Sequence, residues 1–158
     1  MSMKRDDKPD RLARSPIHLL HRAGQCAGEV FYAEMQVGDL TPRQYAVLAT
    51  VAANEGVSQT GLVERTGIDR STLADIVRRM MKKGLLQRRR TREDARAYAV
   101  RLTEEGKRML KVAEPVSRKV DERILEILPE KKREQFLEDL SVIVDALGRM
   151  TPQSENPE

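Results

Sequence analysis

Punctuation between Thr41 and Gly84 constrains this chain more than any other feature. Thr41-Pro42-Arg43-Gln44 has the form of a capping box, with Gln44 three residues after the capping threonine. It launches a helix through Tyr45, Leu48, Val51 and Ala52 to about Asn54, with Gly56 beyond its end. Ser58 caps a second helix, Gln59 to Thr66, stopped by Gly67. Asp69 caps a third, Arg70 to Lys83, ended by Gly84. None of the three is long enough to be stable alone in water. Two tight breaks, at Glu55–Val57 and Gly67–Ile68, fold them on one another as a helix-turn-helix.

After Gly84 the period changes to two. Leu86 to Thr91 and Tyr98 to Leu102 read as paired strands, with Arg92 to Arg96 at the tip. A lone two-stranded hairpin is marginal in water. It must lean on the helices through Leu85, Leu86, Val100 and Leu102. Longer helices flank this unit. Ser15-Pro16 opens one whose apolar stripe is Ile17, Leu20, Gly24, Ala27, Phe31 and Met35, with Gly38 closing it. Thr103 opens another, with a stripe of Leu110, Ala113, Val116, Val120, Ile124 and Leu128; Pro115 inside it should kink or break it. Pro129 starts the last, with Phe136, Leu140, Ile143, Val144 and Leu147. The small middle unit cannot cover all these stripes, and a second copy of the chain is the simplest cover.

The expected fold is therefore mainly α with a small β-hairpin: a winged helix-turn-helix with flanking dimerisation helices. Residues 1–14 and 149–158 form polar tails, expected to be flexible. Residues 15–37 and 103–148 are the dimerisation helices, and 40–102 the DNA-binding unit.

Charge says what the middle unit touches. The net charge is +4, but eleven basic side chains against three acidic ones between Arg70 and Arg101 leave that window at +8. Such concentration marks a polyanion-binding face. In the third short helix Leu73, Ile76, Val77, Met80 and Met81 point inward, leaving Arg70, Ser71, Thr72, Asp75, Arg78 and Lys82 outward. Guanidinium and short hydrogen-bonding groups at the first turn suit base edges in a major groove. Arg70 can span guanine O6 and N7, and Ser71 and Thr72 suit a base or a phosphate. Ser58, Gln59 and Thr60 open the preceding helix, where N–H groups and hydroxyls clamp phosphate. In the wing, Arg92 or Arg96 is expected in the minor groove, with Asp94 bracing Arg96.

Other classes find little in the residues. Cys26 is the only cysteine, so an internal disulfide is excluded. His18 and His21 lack a suitably placed third ligand, so neither a metal nor a cofactor is expected. No Gly-rich phosphate loop or paired nucleophile and base is visible, and no enzyme is expected. Without an apolar leader or a spanning run, a cytoplasmic protein with no membrane partner is expected.

The stretch TGIDRSTLADIVRRMMKKGLLQRRRTREDARAYAVRLTEEG, Thr66 to Gly106, closely resembles the MarR family of bacterial regulators. The resemblance rests on Asp94-Ala95-Arg96 in the wing, on Leu102-Thr103-Glu104-Glu105-Gly106, and on LTPRQYAVL from Leu40 to Leu48. It extends over roughly residues 15 to 148. It implies a homodimer on a near-palindromic double-stranded operator, usually a repressor released by a small ligand. Geometry puts the half-sites about 10 bp apart.

The resemblance also implies an effector site between the dimerisation helices and the DNA-binding lobe. His21, Gln25, Gly28 and Tyr32 recur along the edge of the first stripe, and Gly28 leaves room there. An imidazole, an amide and a hydroxyl beside aliphatic walls suit an aromatic ligand. Arg22 or Arg43 would meet its acid group. The pattern looks most like regulators of aromatic-acid degradation, some of which answer to hydroxycinnamoyl-CoA thioesters. Two rivals stand beside this reading: a peroxide-sensing repressor using Cys26, and a nonspecific architectural DNA-binding protein.

Overall fold

The capping side chains hold the helix ends to which the sequence assigns them. In the computed structural model, which describes residues 10–36, 38–91 and 98–152, the Thr41 hydroxyl accepts from the Gln44 N–H at 3.2 Å, and the Gln44 side chain accepts from the Thr41 N–H at 3.2 Å. Ser58 accepts from the Gly61 N–H at 3.0 Å, Asp69 from the Thr72 N–H at 2.9 Å, and Thr103 from the Gly106 N–H at 3.0 Å. Each bond satisfies one of the donors that a helix start leaves unpaired.

The elements run α1 (Pro16–Glu34), α2 (Pro42–Ala53), β1 (Val57–Ser58), α3 (Gln59–Thr66), α4 (Arg70–Lys82), β2 (Leu86–Arg90), β3 (Tyr98–Leu102), α5 (Glu104–Glu126) and α6 (Glu130–Met150). A single 3-10 turn, Leu12–Arg14, precedes α1. Both α1 and α6 differ slightly from expectation: α1 stops at Glu34, short of Gly38, and α6 runs to Met150. Gly67 closes α3 in the left-handed region at φ 69°, a conformation that costs glycine nothing.

Two expectations need correction. The two strands pair as a hairpin as expected, but the hairpin does not stand alone: β1 adds a third antiparallel strand, in the order β1-β3-β2. Val57 faces Val100 and Ser58 faces Ala99, where the sequence shows only a turn. Two residues are too few to display an alternation. Pro115 does not break its helix, because α5 is continuous from Glu104 to Glu126. The proline removes the N–H that Lys111 would receive, but Pro115 and Lys111 both face solvent. Ala113 and Val120, buried on either side, hold the two halves against the core.

One apolar cluster joins the middle unit to the flanking helices. Leu48, Leu62, Leu73, Met80 and Val100 are fully buried, and Phe31, Met35, Ala113 and Val120 pack into the same core. Each large aliphatic side chain removed from water contributes about 1.5–3 kcal/mol. At the strand-to-helix junction the Thr103 hydroxyl donates to the Gly84 carbonyl at 2.5 Å, and the Thr103 N–H donates to the Leu85 carbonyl at 3.1 Å. Gly106 lies so close that a Cβ there would sit 2.1 Å from the Leu85 carbonyl oxygen. The L-T-x-x-G motif is thus a backbone-to-backbone weld between α5 and the base of the hairpin. Nearer its other end, α5 holds α1: Glu34 pairs with Lys119 at 3.0 Å and with Arg123.

Helix α6 and the start of α1 are left bare. No residue of α6 is buried, and Phe136, Ile143, Val144 and Leu147 are exposed. Ile17 at the start of α1 is 65% exposed.

Candidate nucleic-acid interface and effector groove

Helix α4 divides as its 3.6-residue period requires. Leu73, Ile76, Val77 and Met80 are buried, and Arg70, Ser71, Arg78 and Arg79 are exposed. Its first turn is pre-ordered by Asp69. One carboxylate oxygen accepts from the Thr72 N–H at 2.9 Å and the Ser71 hydroxyl at 3.0 Å; the other accepts from the Thr72 hydroxyl at 2.7 Å. Bonds to the charged form lower a carboxyl's pKa. The Thr72 N–H, then the Thr72 and Ser71 hydroxyls, bring Asp69 down to about 2.

Asp75 faces the same side but is already engaged. It pairs with Arg78 and, at 2.9 Å, with Arg79. The Arg78 hydrogen bond is the leading cause of its lowered pKa. Asp75 therefore holds two guanidiniums rather than standing free for a base. At the start of α3 the Ser58 oxygen is taken by the Gly61 N–H, Thr60 is exposed, and Gln59 is half-buried.

The wing residues Arg92, Asp94 and Arg96 lie outside the described residues. The ladder leading to them is set by five rungs, from Leu86 opposite Leu102 to Arg90 opposite Tyr98. On the last rungs the Arg88 and Arg90 guanidiniums lie over the Tyr98 ring, 5.1 and 5.8 Å from its centroid. Sequence reasoning counted these arginines but missed the tyrosine between them. The strand register would have revealed it, since residues 88, 90 and 98 share a face.

The predicted effector residues fall in separate places. His21, Arg22 and Gln25 line an open groove of about 600 Å³ with His18, Leu20 and Gly24, along the outer side of α1. The Gln25 amide donates to Glu29 at 3.3 Å. Tyr32, further along α1, is exposed and outside that lining. Arg43 is not brought to this groove. It lines a different one, of about 390 Å³, with Pro42, Ala46, Thr66, Gly67, Ile68 and Asp69. Cys26 is an exposed free thiol. Among the described residues no cluster of three or more His, Cys, Asp or Glu is placed to hold a metal.

A family model described as the MarR family matches residues 38–97, from just before α2 to the residue before β3. The transcriptional regulator HosA of Escherichia coli is 36% identical over 103 residues, which cover 65% of this chain and 76% of that protein. The chain belongs to the MarR family. It is a DNA-binding transcriptional regulator and not an enzyme.

Solved MarR-family structures carry the same fold. PcaV of Streptomyces coelicolor, solved with its natural ligand, superposes with a TM-score of 0.80 at 31% identity, covering 93% of this chain and 99% of that one. The repressor CouR, solved on a 23-mer DNA duplex, gives a TM-score of 0.78 at 28% identity, covering 85% and 96%. The HTH-type transcriptional repressor NicR of Pseudomonas putida is 28% identical over 141 residues, 89% of each chain. Among the described residues no helix is long and apolar enough to cross a membrane.

Proposed function

We propose that this regulator is a homodimeric repressor of an aromatic-acid catabolic operon. It grips a near-palindromic operator and is released by an aromatic acid or its CoA thioester. The observation that carries the reading is the uneven burial. The helix-turn-helix and sheet close one core, while α6 and the first half of α1 keep their apolar side chains in water. A second copy would cover them and give two α4 helices to one duplex. In this reading 15–37 and 103–148 form the dimerisation part and 40–102 the DNA-binding part.

Arg70, Ser71 and Thr72 read bases, with Arg78 on phosphate and Asp75 orienting it. Ser58, Gln59 and Thr60 hold phosphate, and Arg92, Asp94 and Arg96 form the minor-groove wing. The effector lies in the α1 groove, where His21, Arg22 and Gln25 offer an imidazole, a cation and an amide beside Leu20. That groove is open in a single chain, and a partner copy resting on Ile17 would roof it. The chemistry fits a flat ring with an acidic or phosphorylated end. A MarR-family repressor, CouR, on its DNA duplex supports the repressor part.

The test is displacement of the protein from its own promoter region by a panel of aromatic acids and their CoA thioesters. Release by one member, abolished in Arg22→Gln, is expected. Indifference to the entire panel would remove the aromatic effector.

A further inference from the structure

Residues Arg88, Arg90 and Tyr98 remain unused by this reading. Leu86, Arg88 and Arg90 project on one face of β2, and Tyr98, Val100 and Leu102 on the matching face of β3. The inner part of that face is core: Leu86, Val100 and Leu102 are buried. Beyond Val100 the same face emerges into solvent, and Tyr98 is 37% exposed. The hairpin thus leaves the body at this point, and its first solvated rungs carry two cations around one aromatic ring.

Two guanidiniums over one ring repel each other. Among the described residues no carboxylate pairs with either, whereas Arg78 and Arg79 share Asp75. The negative face of the tyrosine ring attracts both and limits their rotamers. A cation pair held this way can take a diffuse anion such as a phosphate. Guanidiniums pair with phosphate through two parallel N–H bonds, and pre-ordering lowers the entropy lost on contact.

We propose that Arg88, Arg90 and Tyr98 form a phosphate-binding platform at the root of the wing, with Tyr98 as the positioning residue. It takes the phosphodiester backbone of the bound duplex. It rests on the DNA-binding reading above and adds to it a sequence-independent anchor beside the wing tip. Phosphate contacts fix register without reading bases. The platform therefore strengthens binding to any duplex and leaves base preference alone.

The experiment uses the full chain and a fluorescent duplex that the wild-type protein enriches from a randomised pool, with a scrambled duplex of equal length. Affinity is measured across a salt series. Each phosphate contact contributes about 0.9 to the slope of log affinity against log salt. Each residue occurs twice in a dimer, so Arg88→Gln/Arg90→Gln is expected to flatten the slope by about 3.6 and to weaken both duplexes alike at about 0.1 M salt. Arg11→Gln/Arg14→Gln, ahead of α1, removes the same charge from exposed positions and should leave the slope unchanged. Tyr98→Leu keeps both cations and the apolar bulk, and is expected to weaken binding several-fold; Tyr98→Phe, which keeps the ring, restores it. Thermal melting of each variant separates loss of contact from loss of fold.

An unchanged slope in the double variant would overturn the platform, as would a changed base preference. Equal binding by Tyr98→Leu and wild type would remove the tyrosine's role. Failure of the wild-type protein to enrich any duplex would instead sink the operator reading itself, and the platform with it.

Discussion

Asp69 holds Thr72 twice, by its backbone N–H at 2.9 Å and its hydroxyl at 2.7 Å. The pair fixes the first turn of the helix whose outer face carries Arg70 and Ser71. It also makes that turn sensitive to acid. The carboxyl titrates near 2 in the folded chain, against an ordinary 3.8. A lowered folded value means that the cap's stabilisation is complete above the ordinary value and fades as pH falls toward 2. The melting temperature of Asp69→Asn should therefore lie below wild type near neutral pH, with the gap closing between about pH 4 and 2. A gap that widened in acid would contradict the assignment.

Both hydroxyls of Ser71 and Thr72 donate to Asp69, so each presents lone pairs outward. In a major groove lone pairs match the amino groups of adenine or cytosine. Asp69→Asn puts an N–H donor beside one of them and frees a hydroxyl proton. Selection from randomised duplexes should then show a weaker preference for adenine or cytosine at one position per half-site.

Arg70 is exposed at the same turn. Arg70→Ala should relax base preference at one position in each half-site by about 1–3 kcal/mol, while other positions keep theirs. Competition binding with single-base operator variants measures this, and an intact preference would take Arg70 out of the reading set.

Replacing Gly106 is expected to harm the fold rather than the interface. A methyl there meets the Leu85 carbonyl oxygen at 2.1 Å, and backbone cannot step aside as a flexible side chain does. Gly106→Ala should cost about 1–3 kcal/mol in urea unfolding, as over-packed positions do.

Helix α6 supplies a test of assembly. Leu140 is half-buried in the single chain, and its neighbours Ile143, Val144 and Leu147 are exposed. Leu140→Glu would place a charge in a covered apolar seam, so sedimentation should show a dimer for wild type and a monomer for the variant. A variant that stays dimeric would move the interface elsewhere.

Local chemistry made much of this protein legible from its residues alone. Ser58, Asp69 and Thr103 mark helix starts because a short oxygen beside an orphan N–H works the same way in any fold. The inward set of α4 follows from period alone. The excess of arginine from Arg70 to Arg101 pointed to a polyanion before any fold was known.

What the residues did not disclose depends on neighbours far along the chain. Val57 and Ser58 become a strand only because Val100 and Ala99 arrive beside them. Pro115 stays inside a helix because Ala113 and Val120 are gripped by the core. Arg43 parts from the α1 groove because α2 carries it toward Asp69, and Arg88, Arg90 and Tyr98 meet only through strand register. Capping and periodicity act over a few residues, within reach of the sequence read in order. Pairing, burial and convergence act across dozens, so only the folded chain decides them.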